Sequence, residues 1–175
     1  MSKKIITVFG ATGAQGGGLA RAILADPKGE FAVRAVTRKP DSDSARAFAT
    51  AGAEVVAADL DDAASVQRAM NGAYGAYCVT NFWEHFSPEK ELAQAATLAN
   101  AAAKAGVQHV VWSTLEDTRA FFPADGKRMP VLMGKYNVPH FDAKGEANKL
   151  FSGHVPTTLV NTSFYWDNLI HFGMG

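Results

Sequence analysis

Apolar and polar positions along the chain alternate between two rhythms. Short runs of β-branched and aromatic residues are each followed by a longer stretch with apolar residues at helical spacing, and Gly, Pro, Asn or Asp marks the joins. Ile5-Ile6-Thr7-Val8-Phe9, ended by Gly10, predicts the first strand. Gly16 to Ala25 predicts a helix with Leu19, Ile23 and Leu24 on one face, stopped by Asp26-Pro27-Lys28-Gly29. A second strand over Phe31 to Val36 leads to a small helix over Ser42 to Ala51, closed by Gly52. The third strand is Glu54 to Ala57, and the helix after it opens at Asp61-Asp62, where negative charge suits the positive end of the helix dipole. It runs to Met70 and closes at Asn71-Gly72, before a fourth strand over Ala76 to Val79. Ser87-Pro88-Glu89 supplies a cap residue, a proline at the first helical position and an acid, and starts a long alanine-rich helix to Ala105. His109 to Trp112 is the fifth strand. Residues 116–139, with Pro123, Pro130 and Pro139, predict a loop long enough to cover a site or to move. His140 to Phe151 is helical, Thr157 to Val160 is a sixth strand, and Tyr165 to Phe172 is a last short helix.

Regular strand–helix alternation implies parallel strands joined by crossover helices. The first, fourth and fifth strands lack clean polar alternation, as strands buried on both faces do. The expected fold is therefore α/β: a Rossmann-type doubly wound parallel sheet with helices on both faces, formed as one domain by residues 1–175. Such a sheet binds ligands beyond the carboxyl ends of its strands, so the informative residues are those just after each strand.

Composition narrows the function classes. Hydrophobic residues make up 47% and charged residues 19% of the 175, which is ordinary for a folded domain. Lys+Arg and Asp+Glu are both 17, and no five like charges run together, so direct binding to a nucleic acid backbone is not expected. The single cysteine, Cys78, excludes an internal disulfide, a multi-cysteine zinc site and a CxxC redox pair, and no metal is expected. The apolar run before Gly10 falls short of the roughly seven to fifteen residues of a secretory core, and no stretch approaches the about twenty of a membrane span. The expectation is a cytoplasmic protein without membrane attachment.

The glycine loop after the first strand carries the clearest chemistry. Gly10-Ala11-Thr12-Gly13-Ala14-Gln15-Gly16 follows a predicted strand and opens a helix. Gly10 allows the tight turn, Gly13 lets the backbone approach a pyrophosphate, and Gly16 allows close helix–sheet contact. The helix start adds unpaired N–H groups. At the end of the second strand, where an NAD site carries an acid, this chain has Arg38-Lys39. A guanidinium grips a 2′-phosphate bidentately and an ammonium adds a point charge, so NADP(H) is expected in preference to NAD(H). Asp59-Leu60 either flanks the adenine or is a helix-start acid with its neighbour. Thr80-Asn81-Phe82-Trp83 follows the fourth strand. Asn81 is placed to bond a ribose, and Phe82 and Trp83 either wall the pocket or pack internally. Ser113-Thr114 follows the fifth strand, where a hydroxyl either faces a substrate carbonyl or caps local backbone.

A wider set of motifs carries a family resemblance. The glycine loop, Thr37-Arg38, Asn71-Gly72-Ala73-Tyr74, Val79-Thr80-Asn81-Phe82-Trp83-Glu84, His140-Phe141-Asp142-Ala143-Lys144-Gly145-Glu146 and Tyr165-Trp166-Asp167-Asn168-Leu169 together resemble the NmrA-like family, atypical members of the short-chain dehydrogenase/reductase superfamily. The likeness is greatest to its NADP-sensing, redox-sensor branch. The resemblance implies cofactor binding by Gly10, Thr12, Gly13, Gln15, Gly16, Arg38, Asn81, Lys144 and the segment Tyr165, Trp166, Asp167, Asn168, and position in the loops adds Ala14, Lys39, Asp59, Leu60, Thr80 and Phe82 as candidates. Active dehydrogenases of the superfamily carry Tyr-x-x-x-Lys; here Lys144 holds the lysine position but His140 replaces the tyrosine. Ser113, His140 and Lys144 are the candidate catalytic residues. Otherwise His140 is a helix-start polar residue and Lys144 a solvated helix lysine. The implied role is a redox sensor or regulator with little or no dehydrogenase activity, paired with a regulatory protein or a second copy of itself. An NADPH-dependent reductase of a quinone or other carbonyl, and an interaction module with a vestigial site, are the alternatives. The resemblance also implies that the C-terminal substrate region of the family is largely absent, leaving Phe164, Trp166 and Phe172 as exposed apolar surface.

Overall fold

The structure, a computed structural model, describes residues 2–162, 165 and 168–171, the last of these by its backbone alone. Six strands form one parallel sheet: β1 (Lys4–Val8), β2 (Phe31–Thr37), β3 (Glu54–Ala57), β4 (Gly75–Cys78), β5 (His109–Thr114) and β6 (Thr157–Asn161). Their order is β3-β2-β1-β4-β5-β6. The helices are α1 (Ala14–Leu24), α2 (Asp43–Thr50), α3 (Ala63–Met70), α4 (Pro88–Lys104), α5 (Pro139–Phe151) and α6 (Asn168–His171). The α/β Rossmann-type expectation is met. The chain leaves β1 toward β2 on one side and returns to β4 on the other, so a crevice opens between the ends of β1 and β4.

Each strand sends alternate side chains to opposite faces, and each face has its own core. Val8, Val33, Ala35 and Tyr77 pack with Ala20 of α1 and Phe48 of α2. Val36, Cys78, Val110 and Trp112 pack with Val66, Met70, Leu98 and Phe151 of α3, α4 and α5. Trp112 and Phe151 stack at 4.7 Å, and the Trp112 indole N–H donates to Asn148 Oδ1 at 3.1 Å. Burying each such side chain contributes about 1.5–3 kcal/mol. Two polar side chains inside this packing are satisfied by backbone at the end of α3: Thr7 Oγ1 donates to Ala69 O at 3.2 Å, and Arg34 Nη1 to Ala69 O at 2.9 Å and Asn71 O at 2.7 Å.

Several boundaries move from their predicted places. α1 runs over Ala14–Leu24 rather than Gly16 to Ala25, so Gly16 sits within its first turn instead of opening it. β5 extends through Thr114, which takes Ser113 and Thr114 out of the loop and buries both. The physical reason is pairing: Ser113 and Thr114 have partners in Val160 and Asn161 of β6. The loop 116–139 holds a 3-10 turn over Thr118–Ala120 and an antiparallel bridge between Leu132 and Tyr136. The last helix is described only as Asn168–His171. The expectations for Phe164, Trp166, Asp167 and Phe172 lie outside the described residues.

Candidate functional site

A cleft of about 620 Å³ lies at the carboxyl ends of β1 to β4, within the size range of cofactor sites. Its floor is the β1–α1 loop. Gly10 has φ +63°, a left-handed turn that favours glycine. A Cβ on Gly16 would stand 2.5 Å from Gly10 O and 2.7 Å from Phe9 O, so only glycine lets α1 sit this close to the end of β1. Gly13 is the N-cap of α1 and offers no side-chain cap, and no acid stands in the first turn. By contrast, Ser42, Asp62 and Ser87 cap α2, α3 and α4 with their own oxygens. The N–H groups at the start of α1 are therefore left for something outside the helix, with the positive end of its dipole behind them.

The β2 and β3 ends form one wall. Arg38, Lys39, Asp59 and Leu60 all line the cleft, beside Thr37, Ser42 and Ser44. The Arg38 guanidinium is paired with Glu84 on the far side of the cleft. That hydrogen bond, with the fields of Asp59 and Asp61, raises the Arg38 pKa further above its ordinary value. Asp59 also serves its own turn, its Oδ1 accepting from Asp61 N at 2.9 Å. Asp59 thus lines the cleft and closes a turn, while the helix that follows is capped by Asp62.

Thr80 and Asn81 line the cleft from the β4 end. Phe82 and Trp83 do not. Phe82 is buried against Trp83, His85, Phe86 and His140, with ring centroids 5.7–6.2 Å apart, so these aromatics pack against one another rather than line this cleft.

The three candidate catalytic residues also stand back from the cleft. Ser113 is 1% exposed, and its hydroxyl donates to Gln15 Oε1 at 2.6 Å, with Thr162 Oγ1 at 3.5 Å. His140 lies 4.6 Å from Trp83, centroid to centroid, and burial lowers its pKa. Lys144 is not a solvated helix lysine. Its Nζ donates to Thr80 Oγ1 at 2.8 Å, to Thr80 O at 3.2 Å and to Ser113 O at 3.4 Å, and it pairs with Glu91 Oε1 at 3.1 Å. Burial lowers the Lys144 pKa, with the Glu91 carboxylate opposing. The helix that carries Lys144 is held by a close approach. A Cβ on Gly145 would meet Asp117 N at 2.6 Å, and buried Asp142 accepts from Thr118 N at 2.8 Å and Asn137 N at 2.7 Å.

Two groups behind the cleft lining were not anticipated. Glu91 is fully buried on α4 and accepts the Thr80 hydroxyl at 2.5 Å. Its signal in the sequence is position: Glu91, Ala95, Leu98 and Ala102 make one helical stripe, and a carboxylate in an apolar stripe needs a buried cation. Tyr77, inside β4, donates to Gln15 Oε1 at 2.5 Å, and burial raises its pKa. Gln15 is thus a hub. It accepts from Tyr77 and Ser113, and its Nε2 donates to the Tyr165 hydroxyl, which brings Tyr165 to the cleft. Asn168 opens α6, donating its N–H to Tyr165 O at 2.9 Å, and does not line the cleft.

The sequence profile of the NmrA-like family matches residues 2–174. An NmrA-like family domain-containing oxidoreductase, FrzB of a Cladobotryum species, is 36% identical over 171 residues, covering 95% of this chain and 48% of FrzB. Among solved structures, NmrA, a negative transcriptional regulator, superposes with a TM-score of 0.78 at 25% identity, over 95% of this chain and 47% of that one. Structures of NmrA in complex with NAD and with NADP match at TM-scores of 0.73 and 0.68, each at 25% identity over 92% of this chain and 45% of theirs. The chain spans about half the length of these relatives. Among the described residues no helix is long and apolar enough to cross a membrane.

Proposed function

The chain belongs to the NmrA-like family, and from that premise we propose that its cleft binds NADP(H) in preference to NAD(H), and that the protein reports on this cofactor without turning it over. In this reading residues 1–175 form an NAD(P)-binding Rossmann domain. The residues present suit the group: glycine backbone and free helix N–H groups for a pyrophosphate, Arg38 and Lys39 for a 2′-phosphate, Asp59 and Leu60 beside an adenine, Thr80 and Asn81 toward a ribose. A bound nicotinamide cofactor would supply hydride chemistry. The chain's own part would be to hold it and orient it.

The observation that carries the non-catalytic reading is the state of Lys144. Its ammonium is bonded to Thr80, Ser113 O and Glu91, and the tyrosine that such a lysine serves is replaced by His140, which packs on Trp83. A general acid has to reach the reacting atom within hydrogen-bond distance, and neither side chain lines the cleft. A regulatory role calls for a partner, either another protein or a second copy of this chain. Exposed Trp83 and Phe86 beside the β4–α4 turn are surface for it to cover. The buried, unpaired thiol of Cys78 suits a cytoplasmic setting.

A second reading, an NADPH-dependent reductase of a quinone or other carbonyl, is favoured by one observation: the Tyr77 and Ser113 hydroxyls converge on Gln15 at the cleft edge. The two readings part in one experiment. NADPH is titrated at equilibrium, then its oxidation is followed over a panel of quinones and other carbonyls. Saturable binding with no turnover supports the sensor. Steady consumption overturns it in favour of the reductase. No binding at all leaves only an interaction module with a vestigial site.

A further inference from the structure

The Arg38 guanidinium would be the seat of a 2′-phosphate, yet in the structure it already holds an anion. Glu84 reaches across the cleft from the 3-10 turn Phe82–Glu84 and pairs with it, and both side chains line the cleft. A carboxylate and a 2′-phosphate therefore compete for one guanidinium. The phosphate brings about 1.5–2 negative charges and three acceptor oxygens against one charge and two oxygens, so it is the stronger partner. NAD has only a hydroxyl at that position and offers no such competition.

The turn that carries Glu84 has little else to fix its outer side. Its N–H groups make short local bonds, Glu84 N to Asn81 O at 3.2 Å, His85 N to Phe82 O at 3.2 Å and Phe86 N to Phe82 O at 2.8 Å. Phe86 then takes φ +54°, a left-handed conformation costly for a bulky residue, with its ring largely exposed. The inner side is anchored. Phe82 is buried, and His85 Nε2 faces Glu91 Oε2 at 3.4 Å, next to the Glu91–Lys144 pair. The turn thus lies between the guanidinium at the adenosine end and the buried charges at the other.

We infer that Glu84 is a specificity-determining residue, a latch on Arg38 that NADP displaces and NAD leaves closed, so that the 82–86 turn registers which of the two dinucleotides is bound. This rests on the proposed dinucleotide site. Displacement frees Glu84 on the outer side while Phe82 stays seated, which loosens the turn and changes the surface around Trp83 and Phe86. The same competition holds NADP affinity below what Arg38 and Lys39 would reach unopposed.

Equilibrium titrations of NADP⁺ and NAD⁺ against the wild-type chain and Glu84→Gln, with hydrogen exchange of the 82–86 amides in each complex, test the inference. The affinity ratio of NADP⁺ to NAD⁺ should rise about two- to fivefold in Glu84→Gln, the scale of an exposed ion pair. In the wild type, the Glu84, His85 and Phe86 amides should exchange faster with NADP⁺ bound than with NAD⁺ bound. In Glu84→Gln this difference should vanish. Both dinucleotides binding with an unchanged ratio, or equal exchange in the two wild-type complexes, would overturn the latch and leave the proposed site standing. Failure of both to bind would remove the site and the latch together.

Discussion

At the β1–β2–β3 end of the cleft the polar groups face the opening, whereas at the β4–β5 end they face one another. The first end offers uncapped N–H groups at α1 and the side chains of Arg38, Lys39 and Asp59. The second closes on itself through Lys144 to Glu91 and Thr80, and through Tyr77 and Ser113 to Gln15. Both ends are rich in hydrogen-bonding groups, so composition does not distinguish them. Burial does. The Lys144–Glu91 pair is closed off from solvent and adds to stability, while the uncapped N–H groups of α1 and the exposed Arg38–Glu84 pair are within reach of a ligand. The contrast supports the proposal that a ligand is held at one end, with the other serving cohesion.

The largest effect should come from breaking the closed end. Lys144→Met leaves Glu91 buried without its cation, and should lower the unfolding free energy by about 3–5 kcal/mol. Adding Glu91→Leu should restore most of it, as urea midpoints of the single and double variants would reveal. A small loss in the single variant would mean that the closed end is open to water. At the other end, Arg38→Asp should leave the fold intact and weaken NADP⁺ by tens-fold, since a charged hydrogen bond contributes about 1.5–3 kcal/mol. Calorimetry reads this directly, and an unchanged affinity would take Arg38 out of the binding site. Gly16→Ala pushes a methyl group against Gly10 O and Phe9 O, and should cost about 1–3 kcal/mol in thermal or urea unfolding. A neutral substitution would mean that the loop and helix are not in close contact.

The smallest effect is a pH dependence from His140. Burial lowers its pKa in the folded chain, so between that lowered value and the ordinary 6.5 the unfolded chain holds more protons. Stability from this group is then complete above about pH 6.5 and is lost as the pH falls through that window. Urea midpoints between pH 5 and 8 should therefore fall more steeply on acidification in the wild type than in His140→Gln. Identical slopes would show the ring to be solvated.

Elements and order were largely legible from rhythm and punctuation. All six strands and their helices lie near their expected places because the joins carry their own chemistry, as in Gly10 after β1 and Ser87-Pro88 before α4. The cleft wall around Arg38 and Asp59 was legible because topology alone brings strand ends together. What was not legible is direction. The family resemblance marks Lys144, and its place at a strand end marks Ser113, as chemistry-bearing, but whether they face a ligand or each other depends on partners far away in sequence. Glu91 lies 53 residues before Lys144 and Gln15 98 residues before Ser113. For Phe82 and Trp83 the packing alternative holds: aromatics next to a cleft find one another when His140 completes their cluster.

The central claim is that the open end seats a 2′-phosphorylated dinucleotide. Parallel calorimetric titrations of the wild-type chain with NADP⁺ and NAD⁺ test it most directly. Saturable one-to-one binding of both is expected, tighter for NADP⁺. Tighter binding of NAD⁺, or no heat with either, would contradict it.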